Sequence, residues 1–192
     1  MEADFSVELG PDAAALELPW EADNGAQYYD LKRHPELLAS VPEADQYSEL
    51  RDFLAFLNAP GMPVETAKCD VWTSEQIAPD EEIFGAKLKY ASYVDLLFAD
   101  GRRFSLCENE ELARRTVSLL RRVPEIPASA EMIIRRCYYN EGGDPDTSRD
   151  GFYFSWYVSG FGDDRDQARQ RWAIAKKLAE NALRQVFATA RS

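Results

Sequence analysis

Over residues 45–58 the apolar positions Tyr47, Leu50, Phe53, Leu54 and Leu57 recur at intervals of three and four, the spacing of an amphipathic helix. Asn58-Ala-Pro-Gly61 ends it. From Val64 to Thr73 the period drops to two: Ala67, Cys69 and Val71 alternate with Lys68, Asp70 and Trp72, as in a strand with two distinct faces. Residues 86–98 predict a longer strand. Asp100-Gly101 then reads as a two-residue hairpin turn, with residues 102–106 returning antiparallel beside it.

Leu112, Thr116, Leu119, Leu120 and Val123 place a helix over residues 108–123, with acids in its first turn and Arg121 and Arg122 in its last, the order that suits the helix dipole. Pro124 and Pro127 launch a strand over 130–139. A loop, Gly142-Gly-Asp-Pro-Asp-Thr-Ser148, leads to a strand over 152–161, where Phe152, Phe154, Trp156 and Val158 alternate with Tyr153, Ser155 and Tyr157. Asp163-Asp164 suit a helix N-cap. Ala168, Trp172, Ala175, Ala179, Ala182 and Val186 then predict the longest helix, residues 165–189. Upstream the pattern is weaker, with short strands near 5–9 and 16–18, an irregular stretch over 20–44, and a short helix over 35–40.

The order from Val64 onward, ββ(β)αββα, predicts an α+β fold: an antiparallel β-sheet with two main helices packed on one face. Residues 62–192 form its core. Residues 1–61 form an acidic N-terminal segment that contains a short helix and packs on the sheet. The whole of 1–192 is expected to be a single domain, since 192 residues, 45% of them hydrophobic, suffice for one sizeable core.

Charge narrows the partners. The net charge is −12, and residues 1–60 carry thirteen acids against Lys32, Arg33 and Arg51. Such a field repels phosphate, so nucleic acid is not an expected partner. No apolar run approaches the length of a membrane span. The acidic start shows no secretory signal, and three widely spaced cysteines suit a reducing compartment, so a cytoplasmic location is expected. His34 is the single histidine, and no cysteine pair has zinc spacing; neither a metal nor a cofactor is expected.

Asp95 interrupts the apolar run 93–98, and Arg135, Arg136 and Lys68 lie at comparable positions in their strands. A carboxylate and a guanidinium facing each other across an open sheet could position a polar ligand; the same residues could equally form an ordinary cross-strand ion pair. Trp72, Tyr93, Tyr139, Tyr153 and Tyr157 could line a binding platform, or be core residues covered by the first sixty. Cys69 and Cys137 read as inert buried thiols, and Cys107, just before a helix N-terminus, as the best placed of the three to be reactive. Gly160-Phe-Gly162 follows a strand and precedes a helix, but it lacks the third glycine of a dinucleotide fingerprint. Seven basic residues on the last helix, Arg165, Arg169, Arg171, Lys176, Lys177, Arg184 and Arg191, could hold the acidic N-terminal segment.

These features favour a noncatalytic binding protein that uses the Tyr/Trp-lined sheet face, with a basic protein as partner or a second copy of itself as a homodimer. The alternative is an enzyme acting on a small polar molecule through the Asp95 carboxylate, Arg135 or Arg136, and a tyrosine.

Overall fold

The computed structural model describes residues 1–79, 81–140 and 148–189. The chain runs β1 (Glu2–Val7), β2 (Ala15–Leu18), a 3₁₀ turn (Pro35–Ser40), α1 (Pro42–Gln46), α2 (Ser48–Leu57), β3 (Val64–Ser74), a 3₁₀ turn (Glu82–Phe84) and β4 (Leu88–Phe98). It continues with a 3₁₀ turn (Gly101–Phe104), α3 (Leu106–Leu120), β5 (Ala128–Asn140), β6 (Ser148–Gly162) and α4 (Arg165–Thr189). Of the loop expected over 142–148, only Ser148 lies within the described residues, and Arg191 lies outside them.

The six strands form one sheet in the order β1-β5-β6-β4-β3, with β2 also on β5. The sheet is mixed, which corrects the antiparallel expectation. β3, β4, β6 and β5 pair antiparallel, but β1 and β2 run parallel to β5. β1 pairs with Ser129–Ile134 and β2 with Arg136–Tyr139, so together they make one edge strand interrupted around Gly10-Pro11. Proline there cannot continue a ladder, and the second piece resumes beyond Arg135 on β5.

The returning strand after Asp100-Gly101 is also absent. Both sides of β4 are already occupied, by β3 and β6. The Asp100 carboxylate instead accepts from the Arg102 N–H at 3.0 Å and closes a 3₁₀ turn that delivers the chain to Ser105, whose hydroxyl caps α3. The helix expected over 45–58 is split at Tyr47, which is extended (φ −127°) between α1 and α2.

Period-two alternation gives each strand one face for the main core. Val94, Leu96 and Phe98, Ala130, Met132 and Ile134, and Phe154, Trp156 and Val158 are buried together with the apolar residues of α2, α3 and α4. The contact between α4 and β6 depends on two glycines. A Cβ at Gly160 would overlap the backbone of Trp172 and Ala168, and one at Gly162 would lie 2.6 Å from the Ala168 nitrogen. These glycines serve the close packing of α4 on β6. On the opposite face a smaller cluster, Leu16, Leu18, Leu97, Cys137, Tyr139 and Tyr153, is covered by Trp20, Tyr28 and Phe104 and contains no residue of the α-helices.

Beyond the pairing of β1 and β2 with β5, single side chains also tie down the N-terminal segment. Lys32 Nζ donates to the carbonyls of Ala59 (3.0 Å), Met62 (2.5 Å) and Val64 (2.9 Å). Of the basic residues on α4, Arg169 reaches this segment, donating to both oxygens of Glu49 at 3.1 and 3.0 Å. Arg184 and Lys177 pair with Glu180 of their own helix, and the Arg184 guanidinium also lies 4.3 Å over Phe56 of the segment, with Lys176 4.9 Å over Phe53.

Candidate functional site

The face away from the α-helices carries two polar rows. In the first, Lys68 of β3 stands opposite Asp95 of β4, Asp95 opposite Ser155 of β6, and Ser155 opposite Ile133 of β5. In the next, Asp70, Tyr93, Tyr157 and Glu131 follow in the same order. Trp72 is one step further along β3. Seven of the eight candidate residues thus share a face. The exception is Arg136, which pairs with Phe152 on the other side of the pleat and donates to the Leu9 carbonyl.

Asp95 is only 5% exposed. Its carboxylate accepts a hydrogen bond from Ser155 Oγ at 2.7 Å, and Ser155 Oγ in turn accepts from Arg135 NH1 at 2.9 Å. Arg135 also donates to Glu8 at 2.9 and 3.0 Å. Burial pushes the Asp95 carboxyl up to about 6, against the opposing pull of Ser155, Lys68 and Arg135. Although burial works against its charge, hydrogen bonds to Tyr157 and Glu8 hold the Arg135 guanidinium above its ordinary value.

Above this relay lies an aromatic cluster. Tyr93 and Tyr157 have centroids 5.8 Å apart, and Trp72 is 6.4 Å from each, edge-on to Tyr157. All three are half-buried. Burial, then the charge of Asp95, raises the Tyr93 hydroxyl well above its usual value, so it is a neutral donor. Tyr153 belongs elsewhere: it is buried in the smaller apolar cluster and its surface is covered.

A cavity of about 610 Å³ opens beside this region, along the outer edge of β3. Trp20, Lys68, Asp70 and Tyr93 line one side of it, and Val41 and Glu43 the other. Trp20 Nε1 donates to the Ala67 carbonyl at 3.0 Å, and the Lys68 ammonium lies 4.7 Å over its ring. A second cavity of about 610 Å³ holds a Glu65–Arg103 ion pair at 3.2 Å, with the Arg103 guanidinium 4.9 Å over Tyr139.

Several of these groups escape sequence reading. Ser155 lies in the alternation of residues 152–158, but nothing local marks it as the bridge between Asp95 and Arg135. Trp20 reaches the site from an irregular stretch, and Arg103 from a turn where a strand was expected. Lys176 is hidden as well: it is 3% exposed, its amine has no hydrogen-bond partner among the described residues, and it lies 4.9 Å over Phe53 and 4.7 Å over Trp172. Its i+4 spacing from Trp172 points it inward, and only its charge argues otherwise.

Burial raises the Cys69 and Cys137 thiols to about 12, so neither is a nucleophile near neutrality. Among the described residues no group of three or more His, Cys, Asp or Glu is placed to hold a metal ion, and no helix is long and apolar enough to cross a membrane. No family model matches the chain, and neither does any curated protein or solved structure. The chemistry of the site must be read from its own geometry.

Proposed function

We propose that this is a noncatalytic cytoplasmic binding protein that recognises a basic protein partner through the Trp72–Tyr93–Tyr157 face. The observation that carries this reading is the cluster itself: three large rings in mutual contact, half-buried, on the sheet face that the α-helices leave uncovered. Rigid amphipathic rings of this kind are enriched at protein interfaces. Asp70 flanks them, and a net charge of −12 adds a long-range field that draws in cations and repels nucleic acid. A second copy of this chain is the weaker partner, because two such charges repel.

Capture from lysate on the tagged protein tests this, at low and at high salt, for the native chain and for the Trp72→Ala/Tyr157→Ala variant. A basic protein retained at low salt, lost at high salt and not retained by the variant supports the reading. Equal retention by the variant overturns it. Light scattering at several concentrations separates a homodimer from a monomer that awaits its partner.

A second reading is favoured by one observation, the Asp95–Ser155–Arg135 relay. A carboxyl titrating near 6 beside a guanidinium suits acid–base work on a small polar molecule. Turnover of such a substrate by the native chain, lost in Asp95→Asn with the fold retained, would establish it; turnover unchanged in Asp95→Asn would dismiss it.

A further inference from the structure

β3 is the outer strand on its side of the sheet, and its edge is capped only in part. An outer strand presents a row of backbone donors and acceptors that another chain can pair with unless they are covered. Along the first half of β3 three outward groups have a side chain on them. The Val64 carbonyl accepts from Lys32, the Thr66 N–H donates to Asn58 Oδ1 at 3.2 Å, and the Ala67 carbonyl accepts from Trp20. The register then shifts at a bulge between Thr66 and Lys68. Beyond it, alternation turns the N–H and C=O of Cys69, Val71 and Thr73 outward. The Val71 N–H agrees with this direction by donating to its neighbour's carboxylate, Asp70 Oδ1, at 2.7 Å.

That bond is the last cap. Among the described residues no side chain or loop makes a hydrogen bond to the outward backbone of Cys69 or Thr73, or to the Val71 carbonyl. The uncapped stretch starts in the cavity described above: Cys69 and Asp70 are among its walls, between Trp20 and Tyr93 on one side of the sheet and Val41 and Glu43 on the other. The space therefore borders the start of the incomplete ladder, at Cys69 and Asp70, and has walls on both faces of the pleat. An extended chain laid there would pair with the edge and send alternate side chains to opposite walls.

We infer that this groove takes an extended, basic segment of the partner protein by strand addition to β3 between Cys69 and Thr73. The proposal rests on the reading of the aromatic face, which it extends by naming the binding mode. Charge selects the occupant. Asp70 and Glu43 stand on the two walls against Lys68 alone, and the whole chain is acidic. Lysine or arginine side chains at alternate positions would meet Asp70 and the face of Tyr93 or Trp72, where a cation is favoured. The Asp70 carboxylate holds Val71 N–H in the free protein and is released to pair with that cation as the incoming carbonyl replaces it. A second copy would bring a second Asp70 to the same edge and is disfavoured.

Three capped peptides test this by calorimetric titration into the full-length chain: Ac-(Lys-Val)₄-NH₂, the same peptide N-methylated at every second residue, and Ac-(Glu-Val)₄-NH₂. N-methylation removes strand hydrogen bonds and keeps the charge, so it should weaken binding by about tenfold or more. The acidic peptide should not bind. Amide exchange should slow at Cys69, Val71 and Thr73 when the lysine peptide is present. Equal affinity for the methylated peptide, no binding of any peptide, or protection of these amides by self-association alone would each overturn the inference. The Trp72→Ala/Tyr157→Ala variant separates the two proposals. If it still binds the unmethylated lysine peptide, the edge is real and the aromatic face is not the recognition surface. If methylation changes nothing while the variant fails to bind, the face stands and the strand addition falls.

Discussion

Asp95 and Arg135 are joined by a single hydroxyl: Ser155 Oγ accepts from the guanidinium at 2.9 Å and donates to the carboxylate at 2.7 Å. The two charges attract without direct contact. This is a poor substitute for a bidentate ion pair, and the buried carboxyl is pushed up to about 6 because Ser155, Lys68 and Arg135 offset only part of the cost of its burial.

The pH dependence of stability follows from that value. A carboxyl whose folded pKa exceeds its ordinary 3.8 binds more protons in the folded chain between the two values. The stability it contributes is fully present below about 3.8 and is lost as pH rises through about 6. The gap between the two values corresponds to roughly 3 kcal/mol at most. Asp95→Asn should therefore be more stable than the native chain at pH 7, by about 1–3 kcal/mol, and the gain should vanish near pH 4. Urea unfolding at both pH values measures this; a variant less stable at pH 7 would mean that the charged relay is net stabilising.

Lys176 carries the opposite charge under the same penalty on the other side of the sheet. Burial lowers its ammonium from 10.5 to about 7, and among the described residues no acceptor compensates. Between these values the unfolded chain holds a proton that the folded chain does not, so stability should rise as pH increases from 7 to 10. Lys176→Met retains the packing against Phe53 and Trp172 and removes the penalty. It should stabilise the protein at pH 7 by a few kcal/mol, since each tenfold loss of proton affinity on folding costs about 1.4 kcal/mol, and it should flatten the alkaline rise. Thermal unfolding at pH 7 and pH 10 gives both readouts.

The glycines divide by what surrounds them. Gly160→Ala places a methyl into the backbone of Trp172 and Ala168, neither of which can move without lifting α4 from β6. A loss of about 3 kcal/mol or more, or failure to fold, is expected. Gly10→Ala meets nothing within 4 Å and should be neutral within about 0.5 kcal/mol. Comparing the two by urea unfolding separates a packing requirement from a generic glycine effect.

Much of the fold is legible in the periodicity because periodicity reports burial. The alternation of Phe154, Trp156 and Val158 with Ser155 and Tyr157 places the latter two on a face shared with Asp95, as the β4–β6 register shows. Strand direction leaves no such trace. Residues 2–7 and 15–18 would carry the same alternation whether parallel or antiparallel to β5, and the choice depends on where the chain must go next. Asp100-Gly101 misleads for a related reason: its dipeptide favours a hairpin, but the space beside β4 that a return strand needs belongs to β6. In the site, Asp95 stands out as a charge in an apolar run. Lys176, beside Lys177, reads as one of the bases that could hold the acidic N-terminal segment, although its spacing from Trp172 points inward.

Lys32 shows how an irregular segment can be held by one side chain. Its ammonium satisfies three carbonyls, of Ala59, Met62 and Val64, where α2 hands the chain to β3. Nothing apolar could do this, since each carbonyl would lose its donor in a partly buried corner, and burial lowers the lysine's own pKa in consequence. Lys32→Met keeps the length of the stem and deletes all three bonds. A loss of about 2–4 kcal/mol is expected, because charged donors to carbonyls contribute more than neutral ones. The loss should not stay local. The Val64 carbonyl starts the capped half of the β3 edge, and the segment that carries Lys32 also carries Trp20, the cap on Ala67. Limited proteolysis should therefore cut residues 19–34 faster in Lys32→Met than in the native chain under native conditions. Unchanged cleavage together with lower global stability would show that Trp20 and the edge pairing of β2 hold the segment without it.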